Sequence, residues 1–411
     1  MNISEKTCVK LHAVLVCALV GFSVIRGGLL SMLRGFVVLP AKLDVILIYG
    51  ILFLIVFLLL RYFLERLDLR ELIPFFIIFA LIIYSWLSNL SYTDYYTRVI
   101  GEYLLGVCAY IVIRTIDDTE LVLRYLRITA FFITICCFAV MGYSLSKNTY
   151  SQSLGYHILP AVVISFDALL DKSAKFRILH VINFLFSFFI CFMTGARGPV
   201  IAVAAFILLR LIFGFGTDIK RQFVVLLVTA IIIVLFLVYF EEIYNFFFDM
   251  AQKYGLSTRV FRKFENGVLF DNTSRQKFYN YSFDILNSSS SNFVFGTGIC
   301  KDRILLAEQF NNTNNAYAYY PHNLFVEFFL QFGVILGALL SIFVVYVIIK
   351  SLFSKIDREV KNFFILFLAV GFVPLMFSMS YVTEPLFFCM IGAGINCIEN
   401  SKYHKTIDNT H

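Results

Sequence analysis

The chain has 411 residues, 60% of them hydrophobic and 15% charged, with a mean hydropathy of +0.83 and a formal charge of +7. Soluble domains carry about 25% charged residues, so a soluble enzyme and a separate soluble domain are excluded. The basic residues flank apolar runs instead of forming one patch, which argues for membrane topology and against a nucleic-acid partner.

Apolar runs fall near 8–25, 43–60, 72–90, 99–113, 128–145, 155–171, 178–195, 198–215, 222–241, 323–349, 362–382 and 385–398. Runs of this kind predict an all-α, polytopic integral membrane protein of about twelve transmembrane helices. Residues 1–241 hold helices 1–9, 242–322 form one large loop, and 323–411 hold helices 10–12 with a C-terminal tail. Lys6 and Lys10 precede the first run without a cleavage pattern after it, so that run reads as a retained helix. Residues 28–39 are also apolar and fit an interfacial or re-entrant segment. Of nine cysteines, only Cys300 lies in the large loop, and no CxxC pair suggests a zinc site or disulfide framework.

With both termini assigned to the cytoplasm, twenty of the 34 Lys and Arg fall on inner segments. The short outer loops carry six: Arg26, Arg34, Lys42, Arg98, Lys147 and Arg197. This positive-inside bias turns the large loop to the periplasm or cell exterior. The C-terminal tail is then cytoplasmic.

Three features of that outer face can carry chemistry. Thr194-Gly195-Ala196-Arg197-Gly198-Pro199 is a tight turn with an arginine at the membrane surface. Such an arginine can simply snorkel, yet positive charge is disfavoured on this face, and flanking glycines permit close approach by a ligand. Next, Thr273 or Ser274 can cap a helix through Leu286, with Phe278, Tyr281 and Ile285 on one stripe. Arg275 then lies in the first turn, where the helix dipole does not favour a cation. Finally, Tyr319-Tyr320-Pro321-His322-Asn323 closes the loop and opens the tenth helix. A histidine there can hold a proton where water meets lipid. Glu327 follows five residues later, off that face, and Gly296-Thr297-Gly298 reads as a turn. No P-loop, GxSxG, HExxH or acidic pair accompanies them. A reaction on this face must draw on energy stored in its donor.

Arg197-Gly198, Arg275, Gly296-Thr297-Gly298 and His322-Asn323, in this order and on one side, resemble the O-antigen ligase and O-antigen polymerase (Wzy-type) superfamily. The resemblance covers roughly residues 185–340. It departs from the ligase-like pattern at Gly333 and Gly337, whose spacing is one residue longer, and it lacks the arginine and glycine eleven apart described for some polymerases. The resemblance implies a GT-C-like, metal-independent, inverting glycosyltransferase without a cofactor. Its donor is a glycan on undecaprenyl diphosphate in the bacterial inner membrane, and a chain-length regulator and a flippase of the same pathway are candidate partners. His322, Arg275 and Arg197 are the implied catalytic residues, with Asn323 and Tyr320 binding substrate beside Tyr317 and Tyr319. A polymerase is expected. A ligase acting on lipid A–core is the alternative, and a lipid-linked oligosaccharide flippase or a non-catalytic scaffold the readings of other classes.

Overall fold

The computed structural model describes residues 5–37, 40, 43–146, 153–171, 174–194, 196–214, 223, 227, 238–253 and 273–408. No strand occurs among them. A segment in hydrocarbon must satisfy its own backbone groups, and a helix does so within itself. Eight helices among the described residues are long and apolar enough to cross a membrane. The chain is therefore a polytopic, all-helical membrane protein, as composition predicts. The expected ninth span, 222–241, lies almost entirely outside the described residues.

The helices run α1 (Glu5–Ser23), α2 (Leu43–Arg66), α3 (Ile73–Leu87), α4 (Thr93–Arg114), α5 (Thr119–Ser146), α6 (Ser153–Leu170), α7 (Arg177–Met193) and α8 (Arg197–Phe213). After α9 (Phe240–Lys253) come the loop helices α10 (Thr273–Asn287), α11 (Ser290–Phe295) and α12 (Lys301–Gln309), then α13 (Leu324–Leu352), α14 (Arg358–Phe367) and α15 (Pro385–Asp408). α6 packs on α5, α7 and α8, while α15 packs on α4, α13 and α14. One continuous apolar core joins these groups. Small residues let the helices close up, as where Gly106 of α4 lies under the ring of Phe388 of α15. At the end of the bundle away from the large loop, Arg114 ties Glu71 (2.6 Å) to Glu399 (3.0 Å).

Of residues 28–39, expected to be interfacial or re-entrant, 28–34 instead prolong the first helix. It passes through a π-helical stretch, Val24–Leu29, and continues as Leu30–Arg34. π-Bulges frequently mark functional positions, and this one carries Arg26.

The expected single span over 323–349 is two helices. Gly333 breaks α13 with φ +73°, ψ −179°, a backbone shape open to glycine and strained for other residues. The chain folds back there, bringing Gly337 against the backbone of Phe328 and Phe329. At 1.5 Å per residue, Leu324–Phe332 is about 13 Å long and Val334–Leu352 about 28 Å, the latter matching a hydrocarbon core. Burial follows the division. Leu324, Glu327, Phe328, Leu330, Gln331 and Phe332 are buried, whereas Ile335, Leu339, Ile342, Tyr346 and Ile349 face outward.

The Gly296-Thr297-Gly298 turn explains the break. Thr297 and Gly298 donate their backbone N–H groups to the carbonyls of Leu330 (2.8 Å) and Gln331 (3.1 Å). These are carbonyls left open at the end of the first half-helix. Gly296, at φ +77°, lies back to back with Gly333, so that a Cβ on either would strike the other's backbone.

Candidate functional site

The short half-helix delivers the sequence-predicted His322-Asn323 pair. Asn323 adopts an extended conformation, and its Oδ1 accepts from the backbone N–H of Phe325 (3.0 Å) and Val326 (3.2 Å). Its side-chain oxygen is thus engaged as an N-cap. His322 precedes it with φ +58°, in the left-handed region. Its half-buried ring meets Tyr320 (centroids 4.2 Å apart) and the edge of Phe278 (5.0 Å). Burial, reinforced by the positive charge of Arg275 and then Arg303, pushes the imidazole pKa down to about 4. The ring is neutral at neutral pH and free to accept a proton.

Arg275 stands in the first turn of α10, and its guanidinium lies 6.0 Å from the ring centroid of Phe377. The apolar stripe below it is as expected. Ile285 joins Leu286, Leu306 and Leu330 in a small core, with Phe278 and Tyr281 against it. The side chains of the predicted cap residues Thr273 and Ser274, and the whole of Gly195 in the arginine turn, lie outside the described residues. Arg197 opens α8 and is half-buried. Its turn packs on α6, with Gly198 against the hydroxyl of Tyr156 and Thr194 and Pro199 against Gly155.

Tyr156 and Tyr320 both line a cavity of about 450 Å³ at the loop end of the bundle. Tyr320 lines the cavity and its ring packs on that of His322, whereas His322, Arg275 and Arg197 do not themselves line it. Arg275 stands near His322, and the Arg197 turn reaches the same cavity through Tyr156. Tyr317 also lines it, whereas Tyr319 packs on Phe310 and Phe278 in the loop's own core.

Three arginines that the sequence reading did not select face this cavity: Arg26, Arg98 and Arg303. Glu102, 1% exposed, pairs with Arg26 and accepts from Arg98 Nε (3.3 Å) and the Tyr317 hydroxyl (2.8 Å). The Arg98 guanidinium stacks 3.9 Å over the Tyr317 ring. Arg303 lies near both Tyr317 (5.4 Å) and Tyr320 (5.1 Å) and donates Nη1–H to the Tyr317 carbonyl (3.1 Å). Behind it, Gln331 bridges the buried carboxylates of Asp302 (3.0 Å) and Glu327 (3.3 Å), and Ser380 and Tyr381 complete the network. Burial raises the pKa of Asp302, and that of Glu384 on the cavity wall rises to about 7 for the same reason. Arg26 and Arg98 carried the same signal as Arg197, positive charge on the face where it is disfavoured. Arg303 was hidden in a long loop, where charge bias says little.

A walled cavity with stacked tyrosines, guanidinium groups and hydroxyls suits a sugar joined to an oxyanion. Residues 182–341 match the family model for O-antigen ligase. No curated protein and no solved structure matches the chain. The O-antigen ligase match contains Arg197, Arg275, Tyr320, His322 and Asn323, and it supports the ligase and polymerase superfamily. It also contains Arg303 and the Gly296–Gly333 interlock, while Arg26 and Arg98 lie outside it. The match supports an O-antigen ligase or polymerase type of function in general terms and suggests a glycosyltransferase-like activity.

Proposed function

We propose that this protein is a surface-polysaccharide polymerase of the inner membrane. It joins oligosaccharide repeat units carried on undecaprenyl diphosphate, on the periplasmic face. The observation that carries this reading is the neutral, backbone-constrained His322 beside Arg275, both inside the O-antigen ligase match, with its ring against Tyr320 of a charged, tyrosine-lined cavity.

In the proposed reaction an acceptor sugar hydroxyl attacks the anomeric carbon of the donor. His322 takes the hydroxyl proton as the new C–O bond forms and the bond to the diphosphate breaks. Direct attack inverts the anomeric centre. Arg275 and Arg197 stabilise the charge that gathers on the departing diphosphate, since guanidinium forks match phosphate oxygens and act more strongly away from bulk water. Because Arg275 and Arg303 help to hold His322 neutral, a bound diphosphate opposes them and makes the imidazole a stronger base when substrate is present.

The second reading, transfer of lipid-linked polysaccharide to lipid A–core, is favoured by the description of the matching family. The flippase alternative finds no support in it. Lipopolysaccharide from a deletion strain separates the two enzymes. A polymerase deletion leaves lipid A–core bearing one repeat unit, whereas a ligase deletion leaves bare core and lipid-linked polymer. An unchanged surface glycan overturns both.

A further inference from the structure

The three guanidinium groups of the cavity are unequally engaged. Arg26 and Arg98 share the carboxylate of Glu102. Arg303 is 1% exposed and lines the cavity, yet its Nε and Nη2 have no hydrogen-bond partner among the described residues. The carboxylate facing it, Glu327, stands off at 3.8 Å, beyond hydrogen-bond reach. Ser380 and Gln331 donate to Oε1 of that carboxylate, the same oxygen that faces Arg303 Nη2, and Tyr317 and Tyr320 flank the guanidinium.

Nε and Nη2 form one edge of the guanidinium plane, with two near-parallel N–H groups. This is the edge that grips both oxygens of a carboxylate or phosphoryl group at once. Buried donors are rarely left unmet in native proteins. We infer that Arg303 is an oxyanion-binding residue of this cavity, its Nε–Nη2 edge taking two oxygens of one phosphoryl or carboxylate group on the substrate. Glu327 is the positioning residue behind it. Burial lifts the pKa of Glu384 on the same wall to about 7, so its carboxyl is only partly ionised at neutral pH. The inference deepens the glycan-transfer reading and rests on it. The oxyanion is either the diphosphate of the lipid carrier or the acid group of a sugar, and both present the same fork of oxygens.

The test is calorimetric titration of the purified full-length protein in detergent with inorganic pyrophosphate, with galacturonate and with uncharged galactose. Tighter binding of pyrophosphate or galacturonate than of galactose, weakened at least tenfold in R303K and further in R303M, supports the site. The acidic probe that binds identifies the source of the oxyanion. Should R303M not fold, R303K carries the test alone, since it keeps the charge and loses the fork. Equal affinity of wild type and R303K for both acidic probes, or no binding of either to wild type, overturns the inference. Surface-glycan ladders from the R303K and H322A strains separate it from the reading beneath. An intact R303K ladder with unchanged probe affinity removes Arg303 alone. An intact H322A ladder removes the transfer mechanism and leaves the oxyanion site standing.

Discussion

His322 combines a strained backbone with a lowered imidazole pKa. Its φ of +58° is rare outside glycine, although histidine tolerates it better than most residues. Holding such a conformation costs on the order of 1–3 kcal/mol, and the Asn323 cap with the rings of Tyr320 and Phe278 maintains it. His322→Asn keeps a side chain at ease in that backbone and removes the base. Transfer should fall by about 10²- to 10⁴-fold with protein yield unchanged; full activity in this variant would remove the histidine from the chemistry. The pH dependence has a definite sign. A base with its pKa pushed down to about 4 stays deprotonated through neutrality, so kcat/KM should hold steady from pH 7 down to 5 and fall only below that. Arg275→Met removes one of the positive neighbours that depress it, and the acid limb should move upward. An acid limb near 6.5 in wild type, unmoved in R275M, would contradict the assignment.

Among the elements, the broken α13 matters most. Its two glycines interlock, and Gly296→Ala or Gly333→Ala places a methyl group within van der Waals radii of opposing backbone at a positive φ. Each should destabilise by about 1–3 kcal/mol, seen as a lower unfolding temperature in detergent, with transfer lost as the half-helix shifts. Gly50 and Gly142 meet open space in α2 and α5, and alanine there should stabilise by about 0.5–1 kcal/mol. The reverse ranking would mean that the interlock does not hold the site. This element also marks where the sequence stopped being legible. An apolar run from 323 to 349 reads as one span, because the reason for its break is a turn far upstream at Gly296. Glu327 and Gln331 within that run were the available warning, since ionisable and polar groups at membrane depth need partners. Those partners, Asp302, Arg303, Ser380 and Tyr381, come from two other segments and could not be paired by spacing.

Across the whole molecule, fold class was legible because lipid leaves a chain of this composition little choice but helices. The cavity was not, because it draws Arg26 from a π-bulge in the first helix, Glu102 from the middle of α4, Tyr156 from α6 and Glu384 from the approach to α15. Arg197, Arg275 and His322 were legible because they lie in order on short motifs. The proposed orientation puts this cavity outside the cytoplasm. Cysteine placed at the exposed Ser288 should then react with an impermeant maleimide in intact, outer-membrane-permeabilised cells, and cysteine at the exposed Lys355 only after lysis. The opposite pattern would invert the topology and strand the site on the wrong face. The central claim is glycan transfer at His322, and it is tested most directly by incubating purified protein with labelled undecaprenyl-diphosphate-linked repeat units. The account predicts a ladder of dimers and longer products from wild type and none from H322N; no extension by wild type, or an equal ladder from the variant, would contradict it.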